Sequence, residues 1–265
     1  MKRVLGCLLV LLLAAPVLAA LDVARLEEIA TREVIPEVQM AAGLALVDYY
    51  TANKTEAELM DLVANGATEA IRTAAEMALS RLWIGAGKSF EELIDIVYNR
   101  DESSLLRLAA VDALLEYLIE KEDSTLETIY REGPTPEARY AGAKAYFHKN
   151  RGKFDRESLE AICQDDQYTD GYRKAAAELL AGHYLFPPAN AKTQAELEDQ
   201  AQLGASEYLR YAASLALSTL LIKSDITKEE LLKKLVSFYL NPGPLSEEYK
   251  YAYVRALAAR WAAGL

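Results

Sequence analysis

One column of residues recurs seven times along the chain and leaves few folds open. It holds Gln39, Arg72, Arg107, Arg139, Arg173, Arg210 and Lys250, at steps of 33, 35, 32, 34, 37 and 40 residues. Two residues after each anchor stands Ala: Ala41, Ala74, Ala109, Ala141, Ala175, Ala212 and Ala252. Six and seven residues after it come Ala and Leu in most copies, as in Ala78-Leu79, Ala113-Leu114 and Ala216-Leu217. Four residues before it stand Ile35, Thr68, Ser103, Thr135, Thr169, Ser206 and Ser246. Ser and Thr side chains accept hydrogen bonds from the free amides of a first helical turn, so this column marks N-caps. The residues that follow it include Pro36, Pro136, Asp170, Glu69, Glu207 and Glu247. Pro and acidic residues suit a helix start, because Pro lacks the spare N–H and an acid meets the positive end of the dipole.

Between these helices runs a second, shorter amphipathic pattern, clearest in Thr55–Gly66, Ser89–Asn99 and Thr227–Leu240. Each has one apolar stripe at helical spacing and a charged remainder. The expectation is an all-α chain of about seven helix pairs, the first opening at LDVARLEEIA. A period in the thirties with two helices per unit is the mark of an α/α solenoid.

The pattern R-x-A-A-x-x-A-L after a short acidic or Pro-containing turn resembles the HEAT repeat family, including the HEAT-like repeats of bilin-lyase-type proteins. The resemblance covers nearly all of the chain beyond residue 20. It implies an open superhelix whose second helices line a concave face. It also implies that Arg72, Arg107, Arg139, Arg173 and Arg210 form a structural ladder between neighbouring repeats. The Trp, Gly and Pro positions of tetratricopeptide repeats do not recur at a fixed period. The Ala columns fit close helix stacking, since a bulky residue at Ala109 or Ala212 would push neighbours apart at a cost of roughly 1–3 kcal/mol.

On the helical wheel, positions −1, +2, +3, +6, +7 and +10 from the anchor form the core side, and position +1 points away from it. That far face is not polar, as a merely wetted face would be. It carries Met40, Leu44, Met77, Leu108, Tyr140, Phe147, Tyr211, Leu215 and Tyr251. An apolar, Tyr-rich stripe of this size is expected to bind a protein or peptide in the concave groove, as a scaffold or adaptor would. Two other uses of the face remain open: tight curvature that buries it internally, and a homodimer contact. A non-catalytic subunit or a lyase-type enzyme component is the alternative that the bilin-lyase resemblance adds.

Residues 1–20, MKRVLGCLLVLLLAAPVLAA, have a basic start, an apolar run and a small-residue end. That is the layout of a secretory signal peptide, expected to be cut after Ala19 or Ala20. The protein is then exported to a periplasm or the extracellular space, as a single domain over residues 21–265. Loss of Lys2 and Arg3 takes the net charge from −11 to −13. So acidic a chain repels phosphate backbones and anionic membrane surfaces, so nucleic acid is not an expected partner, nor is membrane insertion after cleavage. Beyond the leader only Cys163 is left, on an apolar helical face, so no internal disulfide forms. His148 and His183 without Cys partners or an HExxH pattern make no zinc site, and Asp165–Asp170 lacks the spacing of a calcium loop. No nucleophile elbow, dinucleotide loop or P-loop is present, so no catalytic residue, metal or cofactor is expected. The Pro-containing stretches His183–Gln194 and Tyr239–Glu248 lengthen two connections, and Trp261 is placed to cover an exposed end of the stack.

Overall fold

The structure is a computed structural model that describes residues 22–187, 191–241 and 245–264. The expected leader lies outside the described residues, as do parts of the two Pro-rich connections. Fifteen α-helices pack side by side among the described residues, with no strand. Seven of them are the anchor helices: α2 (Pro36–Ala45), α5 (Glu69–Ala86), α7 (Ser104–Ile119), α9 (Pro136–Lys149), α11 (Asp170–Leu185), α13 (Glu207–Lys223) and α15 (Glu247–Ala262). Seven others pair with them in order: α1 (Val23–Arg32), α4 (Glu56–Asn65), α6 (Phe90–Tyr98), α8 (Asp123–Glu132), α10 (Arg156–Gln164), α12 (Gln194–Leu203) and α14 (Lys228–Leu240). A short α3 (Val47–Asn53) continues α2 and packs on α5.

The cap column works as read. Thr68, Ser103, Thr135, Thr169, Ser206 and Ser246 each precede their helix and accept from the amide three residues on. Ile35 has no cap bond, and Pro36 there removes one of the amides that would need it. Four of these hydroxyls have a second task. Those of Thr68, Thr135, Ser206 and Ser246 donate to the carbonyls of Ala30, Val97, Cys163 and Ala201, at the ends of the preceding hairpins' outer helices. One side chain thus starts a helix and ties it to its neighbour.

The anchor side chains divide between two roles. Arg72, Arg139 and Arg210 donate through Nη1 to the carbonyls of Gly66, Gly133 and Gly204, which end the outer helices of their own hairpins. These are local clasps, and Arg72 and Arg139 show no ion pair to a neighbouring hairpin. A side-chain contact to the next hairpin forms where that hairpin offers an acid or a ring two residues before its own anchor. Arg107 pairs with Glu137 at 2.8 Å, Arg210 with Glu248 at 3.4 Å, and Arg173 stacks 4.6 Å from the centre of the Tyr208 ring.

The same contact recurs once more, between the last hairpin and the first. Lys250 reaches Glu37 at 3.4 Å. Helix α15 packs along α2, as each anchor helix packs along the next, and α14 touches α2 as α12 touches α15. The row of hairpins is therefore closed into a ring, with anchor helices inside and the others outside. The expected open superhelix has no open ends here. Trp261, read as the cover of an end, is buried in the core for that reason. Seven hairpins in one ring turn the row by roughly 51° each, and this rotation sets the curvature. The Ala columns permit it: Ala41, Ala74, Ala109, Ala212 and Ala252 are wholly buried where inner helices meet. At Gly43 even Ala would not fit, since an added Cβ would lie 2.4 Å from the Ala70 carbonyl oxygen.

Candidate functional site

Seven helices about 9 Å apart close into a ring whose axis lies about 10 Å from each of them. With a helix radius of about 5 Å including side chains, only a narrow lumen is left. Positions +1, +5, +9 and +12 from the anchors face it. They leave a cavity of about 520 Å³. It runs over about three helical turns, or roughly 16 Å at 1.5 Å per residue. Its mouth is at the C-terminal ends of the inner helices, where Asp48, Arg81, Ile222, Ala259 and Ala262 line it. The Asp48 side chain is 75% exposed there, whereas Glu76 and Tyr140 at the deep end are 8% and 7% exposed.

The deep end is a tier of three tyrosines, Tyr140, Tyr211 and Tyr251, with Thr73 and Leu108 between them. The hydroxyls of Tyr140 and Tyr211 both donate to Glu178 Oε1. Burial, then the Glu178 charge, holds both phenols well above their ordinary pKa, so they are donors. Above them runs a rail of charge. Lys144 Nζ lies 2.7 Å from Asp112 and 3.6 Å from Glu178. Burial opposes the charge of Lys144, but these two carboxylates outweigh it and raise its pKa. At the mouth Arg81 pairs with Asp48.

Three ionisable side chains in the cavity have no hydrogen-bond or ion-pair partner among the described residues: Glu76, Lys174 and Arg255. Burial, reinforced by Asp112, pushes the Glu76 carboxyl up to about 8, against the pull of Lys174 and Lys144. Lys174 Nζ lies over the Tyr140 ring, 4.6 Å from its centre, and Lys144 Nζ lies 5.5 Å from the same ring.

The face singled out from sequence is the one that turns inward. Leu44, Met77, Leu108, Tyr140, Tyr211 and Tyr251 line the cavity. Met40 and Leu215 are part-buried against the core, and Phe147 is 1% exposed, packed on Phe154 and Tyr172. Phe147 therefore lines no groove. The expectation of an apolar groove is also corrected, because position +5 carries Asp112, Lys144, Glu178 and Arg255 among its aliphatic residues. The missed signal was legible: acid, base, acid at one position of three successive hairpins is a salt-bridge rail across neighbouring helices. Because the face lies inside the ring, it is withdrawn from a homodimer contact.

Elsewhere, Cys163 is buried, with burial pushing its thiol up to about 12. Among the described residues no group of three His, Cys, Asp or Glu side chains is placed to hold a metal ion. No helix among them is long and apolar enough to cross a membrane. No protein-family model matches the chain, and neither a curated protein nor a solved structure matches it at a significant level.

Proposed function

We propose that the chain is an exported binding protein, built from hairpins of the HEAT kind bent into a ring, that holds a short protruding segment of a partner protein in its central cavity. The observation that carries this reading is the cavity itself: solvent-open, about 520 Å³, with a tyrosine tier at its end and unpaired charges in its wall. That volume is in the range of pockets that enclose a small ligand, roughly 300–1,000 Å³. It suits a few residues of a peptide and excludes a whole helix or domain. Tyr and Met supply large, adaptable contact area. Export, inferred from residues 1–20, places the partner in the cell envelope or outside it.

A mouth-blocking variant tests this. Ala259→Trp fills the entrance with little disturbance of the core, since Ala259 is only part-buried. Protein from Leu21 onward should capture a partner from the envelope fraction, and Ala259→Trp should lose it while keeping its circular dichroism spectrum. Equal capture by both would remove the cavity from the function. Glu76 favours a second reading, a general acid in a lyase-type enzyme component, because its carboxyl is mostly protonated at neutral pH in a cavity wall. Turnover of a captured molecule, abolished by Glu76→Gln, would mark that reading.

A further inference from the structure

The cavity wall is two-sided. In ring order, α2 stands opposite α9 and α11. On the α2 side lies the apolar part of the wall, Leu44 and Val47 flanked by Met77 of α5 and by Ala258 and Ala259 of α15, with Asp48 of α3, Glu76 and Arg81 of α5 and Arg255 of α15 around it. On the far side stand Lys144 of α9 and Lys174 of α11, two ammonium groups over the single ring of Tyr140. Lys144 is neutralised by Asp112 and Glu178, but Lys174 has no anionic partner among the described residues. Arg255 of α15 lines the same cavity and has none either. The one remaining unpaired acid, Glu76, is 8% exposed, and burial pushes its carboxyl up to about 8, so it is mostly uncharged at neutral pH. With Glu76 uncharged, the lumen's four cations, Arg81, Lys144, Lys174 and Arg255, face three carboxylates, Asp48, Asp112 and Glu178, so a lumen inside a chain of net charge −11 carries one excess positive charge and suits an anion with an apolar side.

We propose that Lys174 receives a carboxylate of the bound segment, namely the free C-terminus of a peptide whose last apolar side chain lies along Leu44, Val47 and Met77. The hydroxyls of Tyr140 and Tyr211 do not compete for this role, because Glu178 already holds them. Lys174 is a point charge held by a ring face rather than by a carboxylate, so an incoming carboxylate meets an ammonium with free donors.

This rests on the reading that a peptide segment occupies the cavity, and calorimetry separates the two. The probes are N-acetyl-Ala-Leu-Leu as the free acid and as the C-terminal amide, titrated into protein from Leu21 onward. The free acid should bind at least tenfold more tightly than the amide. Lys174→Met should abolish that preference, and Lys174→Arg should restore most of it. Both variants must melt like the parent, and Arg255→Met serves as a second charge deletion if Lys174→Met does not fold. Equal affinity of acid and amide would overturn the carboxylate assignment and leave peptide binding standing. Binding of neither probe would overturn both. An acid preference unchanged in Lys174→Met and lost in Arg255→Met would move the carboxylate to Arg255 and overturn the role of Lys174.

Discussion

Glu76 is a lumen residue whose burial couples stability to pH. Asp112 from α7, Lys144 from α9, Lys174 from α11, Tyr251 and Arg255 from α15 and Arg81 of its own helix share the cavity with it. Burial comes first among the causes that raise its pKa to about 8. The folded protein therefore holds a proton that the unfolded chain releases near pH 4.5. The Glu76 contribution to stability is fully present below that pH and is lost as pH rises through about 8. Glu76→Gln should match the parent at pH 4 and exceed it by about 2–4 kcal/mol at pH 9, read from urea unfolding at both values. Gly43 and Gly85 form a contrasting pair. Gly43→Ala drives a methyl into the Ala70 carbonyl and should destabilise by about 1–3 kcal/mol. Gly85→Ala meets nothing within 4 Å and should stabilise its helix by about 0.5–1 kcal/mol.

At the scale of elements, the helix starts were legible because they depend on neighbours in sequence. A cap needs only its own first turn, so the Ser/Thr column located six of the seven inner helices to the residue. The second bond of the same hydroxyl was not legible, because its acceptor lies in another hairpin. Thr135 makes both bonds in a buried setting, whereas Thr169 makes only the cap bond, at an exposed site. Thr135→Val should therefore cost about 2 kcal/mol or more and Thr169→Val about 1 kcal/mol, measured by chemical denaturation of each. The anchors follow the same division. Arg72 and Arg139 serve the carbonyl six residues back, and only Arg107, Arg173, Arg210 and Lys250 reach a neighbouring hairpin.

For the whole molecule the decisive fact is closure. In an open stack of repeats, stability is close to a sum over repeats and their nearest interfaces, so removing the last one subtracts little. In a ring each hairpin has two neighbours. Ending the chain at Ser224 removes α14 and α15, uncovers the apolar faces of α2 and α13 and opens the cavity wall at Tyr251 and Arg255. That truncated chain should lose its single cooperative melt and self-associate, as followed by circular dichroism and light scattering. A monomer that melts as one unit would contradict a ring that needs all seven hairpins. What the sequence determined by itself is local and periodic: the seven hairpins, their caps, the Ala seams and the face that turns away from the core. Those features follow from helix periodicity and first-turn hydrogen bonding, which act within a few residues. Whether that face opens to a groove or closes on a lumen was decided by tertiary structure alone. It depends on a rotation of roughly 51° per hairpin accumulating over seven of them until Lys250 meets Glu37. A few degrees less per step would leave an open superhelix with the same columns. Closure also gave the charges at position +5 their meaning, since only across a ring do Lys144 and Lys174 stand opposite the apolar part of the wall on the α2 side.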